Sequence, residues 1–145
     1  MTRVDDDDFA EIVDSVRALI LKKVVPRERE IQDADAVPDD LRQAAAAMGL
    51  FGFAIPQEYG GLGLDLSQDV ELGFWFGYTS LAFRSLFGTN NGIAGQVLVG
   101  YGTDEQKAKW LPRLASGECI ASFALTEPRS GIGSGRHAQY RGAVR

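Results

Sequence analysis

Few residues in this chain have side chains that could carry bond chemistry. His137 is the only histidine and Cys119 the only cysteine, so a zinc cluster or an imidazole-based triad would have to be built on this one ring. The ring lies in an irregular stretch without acids and reads as a solvated surface group. Carboxylates are plentiful, but Asp5 to Asp8 and Asp39-Asp40 stand at expected helix starts, where complementing the helix dipole accounts for them without catalysis. The run Gly131-Ile132-Gly133-Ser134-Gly135 superficially matches a phosphate-cradling loop. It contains neither G-x-G-x-x-G nor G-x-x-x-x-G-K-[ST], and no amphipathic helix follows to offer its N-terminus to a phosphate. No catalytic residue and no metal ligand is nominated.

The 145 residues, 45% apolar and 10% aromatic, are enough for a packed core and exclude disorder throughout. A single cysteine excludes a disulfide scaffold. The net charge of −5 would repel a phosphate backbone, so no nucleic-acid partner is expected. That charge is uneven: residues 1–128 hold all 20 acids and 11 of the bases, leaving −9, whereas Arg129, Arg136, Arg141 and Arg145 give the last 17 residues +4. Residues 129–145 therefore read as an irregular basic tail. Asp5 to Asp8 occupy the place of a signal peptide's basic region. The most apolar window, Leu72 to Phe83, falls well short of the ~20 residues that span a bilayer. A cytoplasmic chain without a membrane span is expected.

The elements available to position chemistry are mostly helical. Phe9, Ile12, Val13, Val16, Leu19, Ile20 and Val24 follow the i, i+3, i+4, i+7 stripe of an amphipathic helix that Pro26 ends or kinks. A second helix is expected from Pro38 through Leu41, Ala44, Ala45 and Met48, stopped by Gly49. Leu50 to Pro56 is a short apolar run, and Gln57 to Gly63 a turn-rich loop. A third helix is expected over 67–87, with Val70, Phe74, Tyr78, Leu81 and Ser85 on one side. Asn90 or Asn91 would cap a fourth through Ile93, Val97 and Leu98. Thr103-Asp104-Glu105-Gln106 fits a capping box opening a fifth, which Gly117 ends. Cys119 to Thr126 then turns to a strand-like run with no partner in view, and a solitary strand cannot satisfy its own backbone.

Two longer strings join unusual residues in fixed order. The first is Pro56-Gln57-Glu58-Tyr59-Gly60-Gly61-Leu62-Gly63-Leu64. The second runs Gly102-Thr103-Asp104-Glu105-Gln106-Lys107, then Trp110-Leu111-Pro112, Ala115-Ser116-Gly117-Glu118 and Phe123-Ala124-Leu125-Thr126-Glu127-Pro128. In this order and spacing, residues 9–128 closely resemble the N-terminal part of the acyl-CoA dehydrogenase family, FAD-dependent oxidoreductases that desaturate acyl-CoA thioesters. The resemblance implies a mostly α fold in which residues 1–117 form the family's N-terminal helical domain and 118–128 open an incomplete middle β-barrel domain. It also implies that Phe123, Leu125 and Thr126 line the flavin ring of FAD, with the Thr126 hydroxyl bonded to it. A plain strand would equally turn Phe123 and Leu125 inward and end at Thr126. In the family the carboxylate base comes from the C-terminal helical domain, and Glu127 is not that base.

The family continues Thr-Glu-Pro-x-x-Gly-Ser-Asp, whereas this chain places Ile132 and Gly133 after Gly131. Ile132 cannot hydrogen-bond to a phosphate. Codons for residues 129–145, read one nucleotide later, are compatible with a string that restores Gly-Ser-Asp, so a frameshift near residue 128 is one expectation and gene sequencing its test. A truncated dehydrogenase that is inactive alone is thus set against a non-enzymatic helical module. For either, exposed apolar faces and an unpaired strand edge imply self-association or association with a homologous subunit.

Overall fold

The computed structural model describes residues 4–124, and these form seven α-helices linked by π and 3-10 turns, with no strand among them. Helix α1 (Asp6–Leu19) starts where the acids predict: the Asp5 carboxylate accepts the Asp7 and Asp8 N–H groups at 3.1 and 2.9 Å, satisfying amides that have no partner within the helix. Its apolar stripe is the core face, with Val16, Ile20 and Val24 fully buried.

Pro26 redirects this helix without ending it. A π turn (Ile20–Val24) and a 3-10 turn (Val25–Arg27) lead into α2 (Glu28–Ala34). Placing Pro26 at the start of a new turn removes the demand for its missing N–H, and the π turn absorbs the change in register. Arg27 holds the bend through Glu30 at 2.7 Å and Asp40 at 2.6 Å, and its guanidinium keeps both carboxyls below their ordinary range.

Helix α3 (Asp39–Ala47) packs Leu41 and Ala45 inward and is followed by Gly49 at φ +72°, the left-handed conformation expected of a stop residue. The apolar run after it is a buried knot, a 3-10 turn at Leu50–Gly52 followed by Phe53, Ala54 and Ile55. Gly61 closes the loop over this knot, since a Cβ there would collide with the carbonyl oxygens of Ile55 and Gly52.

The single third helix is corrected to two, α4 (Leu66–Phe76) and α5 (Leu81–Gly88). Local polar groups break it. The Thr79 hydroxyl donates to the Phe76 carbonyl at 2.9 Å, the Ser80 N–H donates to Glu28 Oε1 at 2.8 Å, and the Ser80 hydroxyl accepts from Phe83. Leu72, Phe76, Phe83 and Phe87 face the core, while the stripe through Val70, Phe74, Tyr78 and Leu81 is solvent-exposed.

The expected cap at Asn90 or Asn91 is also corrected. The chain runs from α5 through a π segment (Thr89–Gly95) directly into α6 (Gln96–Tyr101), so both asparagines sit in the middle of a helical run. Helix α7 (Asp104–Ala115) carries the predicted capping box in full: the Thr103 hydroxyl accepts from the Gln106 N–H at 3.2 Å, and Gln106 Oε1 accepts from the Thr103 N–H at 2.9 Å.

Candidate functional site

The site begins where α7 delivers the chain out of the helical body. Gly117 reverses direction at φ +76°, and a Cβ there would stand 2.8 Å from the Phe51 ring, so backbone conformation and packing both require glycine. The Gly117 carbonyl accepts from Arg42 at 3.1 Å, and the Cys119 N–H donates back to the Arg113 carbonyl at 3.0 Å. Arg113 also pairs with Glu118 at 2.8 Å.

Asn90 completes this exit. Its Nδ2 donates to the Leu114 and Cys119 carbonyls at 3.1 and 2.9 Å, and its Oδ1 accepts the Ala121 N–H at 2.8 Å. The side chain is fully buried and uses both amide hydrogens and its oxygen on backbone groups. The neighbouring Asn91 faces the other way: Nδ2 donates to Leu50 and Phe87 carbonyls at 2.8 and 3.0 Å, and Oδ1 accepts from Ala54 at 2.9 Å. Two adjacent asparagines thus tie one helical segment to the exit strip and to the buried knot respectively.

The strand expected from Cys119 is corrected within the described residues. Residues 119–124 pair with no other strand there, and their anchorage comes from the Asn90 amide and the Arg113 carbonyl. Lacking a ladder, the strip satisfies its backbone with a side chain. Of the three flavin-lining candidates, Phe123 lies at the outer end of this strip and is 61% exposed. Leu125 and Thr126 lie outside the described residues, as do His137, the glycine run and the basic tail. An exposed aromatic ring on a backbone strip fits a planar aromatic ring laid against it.

A second feature is a cavity of about 480 Å³ beside the buried knot, lined by Ala54, Leu64, Asp65, Asp69, Gly92 and Gln96 among others. Burial pushes the Asp69 carboxyl above its ordinary pKa, because a charge is less stable away from water. Among the described residues no group of three metal-ligating side chains comes together, and no helix is long and apolar enough to cross a membrane.

Sequence reasoning missed the paired roles of Asn90 and Asn91 and the partial burial of Asp69. The available signal was Thr89-Asn90-Asn91-Gly92, four poor helix formers in succession inside what is now a helical run. Such a stretch is helical only when its side chains are repaid by tertiary hydrogen bonds.

Comparison with known proteins agrees with this geometry. The family model described as acyl-CoA dehydrogenase, N-terminal domain, matches residues 6–118. The chain is 36% identical over 127 residues to (2S)-methylsuccinyl-CoA dehydrogenase of Cereibacter sphaeroides, covering 87% of this chain and 23% of that protein. Among solved structures it is similar to an acyl-CoA dehydrogenase complexed with FAD from Bacillus anthracis, with TM-score 0.73 and 33% identity over 88% of this chain and 22% of that one. It is also similar to a glutaryl-CoA dehydrogenase from Mycobacterium smegmatis in complex with FADH2, with TM-score 0.74 and 27% identity over 88% of this chain and 33% of that one. The chain thus spans about a quarter of the length of the first of these relatives. The family-model match over residues 6–118, together with these relatives, shows that the chain belongs to the acyl-CoA dehydrogenase family, whose N-terminal domain it carries.

Proposed function

We propose that this chain supplies the helical part of an FAD-dependent acyl-CoA dehydrogenase, the oxidoreductase that introduces a double bond between Cα and Cβ of an acyl-CoA thioester. The observation that carries the reading is the exit strip: Phe123 stands exposed at the end of a segment anchored by Asn90, where the family places its flavin-lining motif. Phe123, with Leu125 and Thr126 beyond the described residues, would hold the flavin ring. The flavin, when bound, supplies the acceptor for hydride from Cβ. Residues 118–128 would open the next domain, and residues 129–145 would be a basic tail that departs from the family plan. In the family the carboxylate that takes the α-proton belongs to the C-terminal helical domain, outside the N-terminal domain matched here.

The experiment is a visible spectrum of the purified chain with and without added FAD. Saturable uptake with a shifted flavin band is the expected result; absence of uptake overturns the reading.

A second reading, a helical module that associates with another subunit or with itself, is favoured by the exposed stripe of Val70, Phe74, Tyr78 and Leu81, of which Phe74 is 73% exposed. Sedimentation of the chain alone, and mixed with a homologous full-length dehydrogenase, tests it: this chain sedimenting as a monomer in both runs overturns it.

A further inference from the structure

We infer that Asn90 is a positioning residue: it fixes the course on which residues 119–124 leave the helical body and so sets where Phe123 is presented. The functional consequence rests on the flavin reading above, whereas the anchoring stands on geometry. Three facts carry it. Every polar group of the Asn90 side chain is engaged with backbone, at Leu114, Cys119 and Ala121. Two of those three partners lie on the exit strip and the third lies in the last turn of α7, so a single planar amide spans the junction. The location is enclosed: Asn90 is wholly buried, and the Gly95 backbone lies so near its carbonyl oxygen that a Cβ there would collide with it.

The adjacent Asn91 does not share this role, since its partners Leu50, Ala54 and Phe87 all belong to the helical body. Beyond Ala121 the strip is exposed, so the Ala121 N–H is the last anchored point before Phe123. Loss of the Asn90 amide therefore releases the strip beyond the Cys119 N–H, which the Arg113 carbonyl still holds, and removes no member of the main core cluster of α1, α3, α4 and α5.

The chain contains its own probe. Cys119, the only cysteine, is half-buried against the Ile55, Leu111 and Leu114 cluster, and its carbonyl accepts from Asn90. Thiol reactivity toward a disulfide reagent, and hydrogen exchange at the Ala121 amide, report on the strip in the full chain. Asn90→Ala is expected to speed both at least tenfold while amides in α1 and α3 stay protected. Ala121→Pro, which deletes the donor and leaves Asn90 in place, is expected to raise thiol reactivity in the same sense. Val16→Ala, a core truncation in α1, serves as the comparison of similar destabilisation. If Asn90→Ala speeds thiol reaction and Ala121 exchange no more than Val16→Ala does, the inference is overturned.

Added FAD supplies the functional readout: Asn90→Ala is expected to weaken FAD binding at least tenfold, and Val16→Ala to leave it within twofold. Equal FAD affinity in wild type and Asn90→Ala, with the strip released, overturns the positioning of Phe123. No uptake by the wild-type chain overturns the flavin reading instead, and the thiol and exchange rates still decide whether Asn90 anchors the strip.

Discussion

Asn91 Nδ2 donates to the Leu50 carbonyl at 2.8 Å, joining a π segment to a 3-10 turn 41 residues earlier in the chain. Neither element is an α-helix, and the Asn91 amide supplies the donor that joins them. Because Asn91 also serves Ala54 and Phe87, one side chain organises the centre of the buried knot.

Asn91→Ala should therefore be among the most destabilising single changes in the chain. It leaves two buried carbonyls and one buried N–H without their partner, and unsatisfied buried groups cost about 1–3 kcal/mol each before local relaxation. A loss of about 3 kcal/mol or more in urea unfolding is expected. A loss below about 1 kcal/mol would show that water or backbone shifts replace the amide.

Gly117→Ala tests the reversal that launches the exit strip. The left-handed φ disfavours any Cβ, and the Phe51 ring already occupies the place it would take. The expected cost is about 2–3 kcal/mol by the same measurement, with the Phe51–Phe87 edge contact, now at 6.0 Å, disturbed. Unchanged stability would show that the ring moves aside freely.

Asp69 gives a pH dependence of defined sign. Its pKa is raised in the folded chain by burial, so the folded state holds this proton more tightly than the unfolded state does. Ionisation then costs stability, a cost that is absent below the ordinary value of 3.8 and fully present above the raised value. Asp69→Asn is expected to be more stable than wild type at neutral pH, with the advantage shrinking as pH falls toward 3.8. A thermal-unfolding series over pH checks this, and an advantage that grows on acidification would contradict it.

Phe123→Ala separates presentation from folding. The side chain is 61% exposed, so stability should change by no more than about 0.5 kcal/mol. If its ring lies against flavin as proposed, FAD affinity should fall by about fivefold to tenfold, in line with the roughly 1 kcal/mol that an aromatic pair contributes. A titration of FAD fluorescence measures it, and equal affinities would remove Phe123 from the site.

The sequence by itself determined the local features. Thr103, Gly49 and Gly117 act at short range, through a side chain reaching an amide three residues away or a backbone needing positive φ, and each stands where its spacing predicted; the acids Asp5 to Asp8 likewise stand at the start of α1. The family strings likewise marked the helical domain. Tertiary structure decided the rest. Whether 67–87 is one helix or two depended on the Thr79 and Ser80 hydroxyls together with Glu28, distant in sequence, which accepts the Ser80 N–H. Asn90 and Asn91 match the composition of a cap, but the carbonyls that claim them come from Leu50, Leu114 and Cys119. Propensity counts neighbours along the chain, whereas a buried amide is satisfied by whatever folding brings to it. For the same reason the run after Gly117 could look like a strand: it is a short apolar stretch bounded by Gly117 and Pro128, but a strand also needs a second one, and among the described residues the partner is an asparagine.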